Sequence, residues 1–279
     1  MARLADLHIH THFSDGTDSP LEVVQQAHRA GLAAIAIADH DTTAGILPTI
    51  KAAEEFDIEV VPAIELSTTI QGKDMHILGY CFDPTDSRIE TILKRFQDAR
   101  LERVERMLTK LKAIGISGIT VEEVAGLTQS GAVGRPHLAS ILIEKKIVGT
   151  IAQAFELYLA EGRPAYVEKF KQTPHEGIAW IRSLGGVAVL AHPMFTNKDE
   201  MIPYLAEAGL GGIEVYYPNC PEAVANYYVG LARKHNLVMT GGSDAHGRRK
   251  PNTYIGKRSI PYELVEALKE RARQDSLKK

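Results

Sequence analysis

Short apolar runs alternate with amphipathic stretches from the N-terminus onward: Leu4–Ile9 then Leu21–Ala30, Leu32–Ala38 then Ile46–Phe56, and Ile58–Ile64. Runs of this length, rich in Ile, Val and Ala, read as buried strands, whereas the intervening stretches repeat apolar positions at helical spacing. The pattern is that of βα units. It breaks at Glu65, where Leu66–Ile70, the turn-prone Gln71-Gly72-Lys73-Asp74 and Met75–Tyr80 leave no room for a helix and predict a hairpin. Alternation resumes late, with strands at Gly186–Leu190, Gly212–Tyr216 and Leu237–Thr240 and helices at His175–Leu184, Met201–Ala208 and Pro221–His235. A total of about seven core strands predicts an α/β chain built as a (β/α) barrel. No internal repeat or low-complexity segment appears beyond the short Lys-rich C-terminal tail.

Residues 84–164 differ in character: helical spacing dominates, broken at Gly115, Gly118, Gly134 and Pro136. They predict a helical insertion between two parts of the barrel, 1–83 and 165–279. Ile89, Ile92, Leu93, Phe96, Val104, Met107, Leu108 and Leu111 fall on one face of its first helix, which should pack on the rest of the fold. From Arg88 to Lys112 there are eight Lys or Arg against four Asp or Glu, a local excess of +4. Such a face is either a solvated helix surface with i,i+4 pairs such as Glu102 with Arg106, or a contact for an anionic substrate.

The whole chain does not share that bias. Its 32 Lys plus Arg against 35 Asp plus Glu give a net charge of −3, which argues against a surface built throughout to hold nucleic acid. No apolar run approaches bilayer length and MARLADLHIH lacks the apolar core of a signal peptide, so a cytoplasmic protein is expected. The two cysteines, Cys81 and Cys220, form no Cys-x-x-Cys pair and are expected to be buried small hydrophobes, and Trp180 is expected in the core.

Histidine is the informative residue type. In Asp6-Leu7-His8-Ile9-His10 the two-residue period of a strand points both imidazoles to one face, where they could share a metal ion. Taken singly this could be a barrel rim, as Ser14-Asp15-Gly16 could be a plain turn and Asp41 a helix cap. Yet His40 and Glu65 also close apolar strands, His76 opens one, His192 follows Val187–Ala191, and Asp244 and His246 follow Leu237–Thr240. Nine such residues at strand ends exceed what packing requires. Imidazole and carboxylate without thiolate suit Mn²⁺, Zn²⁺ or Fe²⁺, and the set is too large for one ion, so two or three should sit together.

These residues occur as His8-Ile9-His10-Thr11, Ser14-Asp15-Gly16, Asp39-His40-Asp41-Thr42, Ile64-Glu65, His76-Ile77-Leu78-Gly79, Gly134-Arg135-Pro136-His137, Ala191-His192-Pro193 and Gly242-Ser243-Asp244-Ala245-His246-Gly247. The set resembles the PHP-domain (polymerase and histidinol phosphatase) phosphoesterases over about residues 4–250. Gly-Arg-Pro-His points to the branch with 3′,5′-nucleotide bisphosphate phosphatases and a 5′–3′ exoribonuclease. The resemblance implies a distorted (β/α)7 barrel with one metal on His8, His10, Glu65 and Asp244, a second on Glu65, His76 and His192, and a third on Asp15, His40 and His246. Ala63 departs from the glycine many members carry, and Asp15 replaces a histidine of some members, which favours oxygen-preferring Mn²⁺.

The chemistry so implied is attack on phosphorus by a hydroxide between two metals, with Glu65 and Asp244 at the centre. Arg135 and His137 would reach from the insertion to bind substrate, and His12 would contact phosphate or protonate the leaving group. The preferred substrate is a nucleoside 3′,5′-bisphosphate such as adenosine 3′,5′-bisphosphate. The alternatives are 5′–3′ hydrolysis of short 5′-phosphorylated RNA, an amidohydrolase reaction, and a non-catalytic metal-binding regulatory module.

Overall fold

A computed structural model of the chain describes residues 3–128, 133–168 and 172–277. Its strands are β1 (Leu4–Ile9), β2 (Leu32–Ile37), β3 (Glu59–Ile70), β4 (Lys73–Tyr80), β5 (Val187–Leu190), β6 (Gly212–Tyr216), β7 (Val238–Gly241) and β8 (Ile260–Pro261). They form one sheet in the order β7-β6-β5-β4-β3-β2-β1-β8. Ile9 bridges Ala245 in parallel and its neighbour His10 donates N–H to the Ala245 carbonyl at 2.9 Å, so the sheet curls into a nearly closed barrel. Small residues let the walls approach: Ala5, Ala34, Ala36, Ala38, Ala63 and Ala191 are all fully buried.

Seven of these strands correspond to the apolar runs; the differences are physical. Ile58–Ile64 and Leu66–Ile70 are one continuous strand, β3, because Glu65 keeps its ladder partner Leu78 on β4. Gln71 and Gly72 take positive φ of 49° and 78° at the tip of the β3–β4 hairpin, as a tight two-residue turn requires. β8 is an eighth, two-residue strand, antiparallel to β1. Because β4 also runs antiparallel to β3 and β5, its beginning lies beside their C-terminal ends. His76 near the start of β4 therefore reaches the same rim as residues that end other strands.

The helices around the barrel are α1 (Pro20–Arg29) and α2 (Ile46–Ala53), then α3 (Arg88–Ala113), α4 (Val121–Ala125), α5 (Arg135–Glu144) and α6 (Ile151–Ala154), then α7 (Pro174–Ser183), α8 (Pro193–Thr196), α9 (Ile202–Glu207), α10 (Glu222–Lys234) and α11 (Glu263–Ser276). Ser19 with Glu22 and Thr173 with Glu176 form capping boxes that start α1 and α7. The C-terminal helix α11 has no counterpart among the expected elements; Val265, Leu268 and Ala272 pack one face of it on the barrel. Trp180 is in the core, but Cys81 and Cys220 are half-buried rather than buried.

Among the described residues, those between β4 and α7 contribute no strand, and α3 through α6 enclose a core of their own that includes Val104, Met107, Leu111, Leu138, Leu142 and Leu159. Ile89 and Leu93, nearer the start of α3, pack instead into the main core with Ile77 and Ile181. No helix among the described residues is long and apolar enough to cross a membrane.

Candidate metal centre

The rim residues converge because local backbone turns them inward. Past β2 the chain keeps pairing with β3: Glu65 donates N–H to the Asp39 carbonyl and Asp41 to the Glu65 carbonyl, at 3.2 and 3.0 Å, which sets His40 beside Glu65. Asp39, buried, accepts the Thr11 N–H at 2.7 Å and the Thr11 hydroxyl at 2.6 Å, holding the loop that presents Asp15. Asp41, His192 and Asp244 have positive φ (53°, 25° and 49°), a conformation rare for residues other than glycine and common at functional sites. At Gly242 a methyl group would overlap the His8 backbone, so only glycine lets the end of β7 lie against β1.

Three groups of possible ligand atoms result, each within 4.8 Å: His10, Asp15, His40 and His246; His8, His10 and Glu65; and His40, Glu65 and His76. Glu65 joins them through both oxygens. Its Oε1 lies 2.8 Å from His76 Nδ1 and 3.0 Å from His192 Nε2, while Oε2 lies 3.3 Å from His8 and His10 Nε2 and 3.2 Å from His40 Nδ1. Asp244 Oδ1 lies 3.2 Å from His10 Nε2 and 3.4 Å from His246 Nδ1. Thus the nine side chains expected as ligands lie together at one rim. His8, His10, Glu65, Asp244 and His246 are buried, and Asp15, His40, His76 and His192 half-buried toward the opening.

The donors fit divalent ions. Both ring nitrogens of His10, Nδ1 of His40 and Oδ1 of Asp15 are buried without a hydrogen-bond partner although other polar atoms lie 3.2–3.8 Å away. Leaving such groups unmade costs about 1–3 kcal/mol each, which coordination would offset. Burial alone would raise the carboxyls of Glu65 and Asp244, but the surrounding imidazoles hold both well below the ordinary range, so they stay anionic. Burial alone would lower His10; Asp244 and Glu65 outweigh it and lift the imidazole to about 9.

The comparisons with known proteins agree with this geometry. The PHP domain family matches residues 6–146. The chain belongs to the PHP domain family. It is 31% identical to a 3′,5′-nucleoside bisphosphate phosphatase of Chromobacterium violaceum over 90% of both chains. It is 35% identical to a 5′–3′ exoribonuclease of Haemophilus influenzae, over 88% of this chain and 91% of the relative. A Bifidobacterium adolescentis structure assigned as a metal-dependent phosphoesterase superposes with a TM-score of 0.87 at 32% identity, covering 97% of both chains. This PHP protein is a hydrolase acting on phosphoric ester bonds, built on a mixed α/β, nearly closed barrel.

The remaining expected site residues fall elsewhere. His12 is in none of the three groups; its ring leans on Phe13 at 4.6 Å. His137 is fully buried, its Nδ1 accepting the Gly134 N–H at 3.0 Å and its Nε2–H donating to the Ser14 carbonyl at 2.9 Å, so no nitrogen remains for a phosphate. Burial, then the Arg249 charge, push its imidazole down to about 4. Arg135 lies 5.4 and 5.8 Å from the Phe155 and Tyr166 rings and lines a cleft shared with the hairpin and α8.

Sequence reasoning missed the groups behind the ligands. Glu214 is fully buried and accepts from His8 Nδ1 at 2.9 Å and from the His192 N–H at 2.7 Å. It thereby fixes the His8 tautomer with Nε2 facing the cluster. The available signal was a lone carboxylate within the apolar strand β6. Asp244 Oδ2, turned away from the histidines, accepts from the Tyr217 hydroxyl at 2.6 Å and Lys250 Nζ at 2.8 Å. Arg100 from α3 donates through Nε to Asp41 at 2.8 Å and through Nη2 to Ser67 at 3.0 Å, tying the insertion to the rim.

Proposed function

We propose that the protein removes the 3′-phosphate of nucleoside 3′,5′-bisphosphates such as adenosine 3′,5′-bisphosphate. The observation that carries this reading is the convergence of nine imidazole and carboxylate side chains at one rim, seven of them in groups able to hold an ion and His192 and Asp244 beside them, in a chain similar along nearly its whole length to a bisphosphate phosphatase. His8, His10, Glu65 and Asp244 would hold one ion, Glu65, His76 and His192 a second, and Asp15, His40 and His246 a third, with Mn²⁺ preferred and Zn²⁺ or Fe²⁺ the other candidates. When bound, such ions supply Lewis acidity toward phosphoryl oxygens and lower the pKa of water to about 7.

The chain's own residues supply the rest. Glu65, with an oxygen toward each side, would be shared between two of the ions; Tyr217 and Lys250 hold Asp244 so that Oδ1 faces the histidines. Arg135 contacts the substrate, its guanidinium suited to a phosphate oxygen pair. His137 acts as a positioning residue, clamping the start of α5 to the loop that carries Asp15. Similarity to the exoribonuclease favours a second reading, 5′–3′ hydrolysis of short RNA at the same site, with Arg95, Arg103 and Arg106 as backbone contacts.

Phosphate release and product identification with Mn²⁺-loaded protein separate the two. Fast release from the bisphosphate with slow RNA turnover is the expected result. Sequential mononucleotides from the RNA 5′ end at equal or greater kcat/KM would favour the second reading, and silence on both would sink both. An Arg135→Ala enzyme with unchanged kcat/KM would remove that residue from the account.

A further inference from the structure

Phe195 is an aromatic side chain that none of the roles above uses. It is 65% exposed, three residues beyond His192 in α8, and its N–H donates to the His192 carbonyl at 3.1 Å. Its ring stands edge-to-face with Tyr217 at 5.1 Å and lies 5.9 Å from the His192 imidazole. Tyr217 is fixed in turn by its hydroxyl on Asp244, 2.6 Å away. An apolar ring is thus held firmly beside the candidate ligands with most of its surface in water.

One exposed phenylalanine is ordinary on a protein surface. This one lines a cleft of about 280 Å³ together with Lys73, Asp74, Arg135, Glu161 and Tyr166. That volume lies near the lower end of small-molecule sites, roughly 300–1,000 Å³. Two cations face two carboxylates, so the cleft offers both donors and acceptors beside its aromatic rings. An open aromatic face with mixed polar partners suits a flat heterocycle whose edge carries donors and acceptors of its own.

We propose that Phe195 is the platform on which the base of a nucleotide stacks while its phosphate lies at the histidine–carboxylate cluster. The inference rests on the nucleotide reading above and makes Phe195 a specificity-determining residue, tolerant of base identity because every base presents a π-face. Base–aromatic stacking of its usual strength corresponds to roughly 5- to 150-fold in affinity.

The test is calorimetric binding of adenosine 5′-phosphate and of ribose 5-phosphate to the Mn²⁺-loaded wild type, Phe195→Ala and Phe195→Trp proteins. The wild type is expected to bind the nucleotide at least about fivefold more tightly than the base-less ester. Phe195→Ala should abolish that preference while leaving ribose 5-phosphate affinity unchanged, and Phe195→Trp should retain it. Equal affinities in the wild type, or a preference that survives Phe195→Ala, overturn the inference. Failure of phosphate release from the bisphosphate would overturn the proposed reaction instead, and the binding ratio would still read the role of Phe195.

Discussion

The barrel rim and the helical insertion use ionisable side chains in opposite ways. At the rim they are packed against one another, with Glu65 within 3.3 Å of five imidazole nitrogens and Asp39, Glu214 and Tyr217 holding the groups around it. In the insertion the apolar core lies inside and many charged side chains of α3 point outward, Lys94, Glu105 and Arg106 among them. Arg100 reaches from that helix to Asp41 at the rim. The contrast teaches that the rim packs its ionisable groups against one another so that each fixes its neighbours, whereas α3 to α6 bury apolar side chains and meet the rim through a few polar contacts such as Arg100 on Asp41.

Breaking the rim at its shared ligand should have the largest effect. Glu65→Gln is expected to lower kcat by at least about 10³-fold, several kcal/mol in transition-state terms. Metal content by mass spectrometry should fall with it, and full activity with full metal content would end the bridging assignment. Next comes the contact where the two regions meet. His137 has a folded pKa near 4 against 6.5, so below pH 6.5 the unfolded chain takes up a proton that the folded chain refuses. Stability from this group is therefore complete above pH 6.5 and declines as pH falls to about 4, by about 3 kcal/mol. Denaturant titrations at pH 7 and 4.5 should show that loss in the wild type and a smaller one in His137→Asn; equal losses would contradict it.

One layer behind the ligands the effect should shrink. Glu214→Gln weakens the acceptor for His8 and the His192 backbone and is expected to cost about 10–100-fold in metal affinity, measured by chelator competition. Smallest is the link from α3. Arg100→Lys keeps the charge but loses the planar fork on Asp41 and Ser67, and should raise KM by roughly tenfold with metal content unchanged. A change in metal affinity equal to that of Glu214→Gln would mean that the two regions are not separable in the way described.

Most of the barrel was legible because its strands are short apolar runs with clear ends: Leu4–Ile9 and Gly212–Tyr216 agree residue for residue. Glu65 misled the reading of β3, since a charge within an apolar run marks a boundary in sequence but here lies within a continuous strand and faces five imidazoles. β8 is too short to carry a pattern, and α11 exposes so much polar surface that Val265, Leu268 and Ala272 were easily overlooked. That the nine candidate side chains would converge was readable because they recur at strand ends. Glu214 was not, because its partners His8 and His192 are distant in sequence, and the pairing exists only once β1, β5 and β6 share a barrel. Likewise, nothing in Gly134-Arg135-Pro136-His137 says that both nitrogens of the histidine are already engaged.

The barrel seam sets an order of events in the cell. Asp6 accepts the Ser243 N–H across 237 positions of sequence, and His10 pairs with Ala245 at the same seam, so the rim joins the two ends of the chain. At roughly 5–20 residues per second a ribosome needs about 12–47 s to pass from one to the other. Throughout that interval His8 and His10 are made but their carboxylate partner Asp244 is not. The groups His8, His10 and Glu65 and His40, Glu65 and His76 are complete once residue 76 has been made, so only the full set of nine side chains waits for Asp244 and His246.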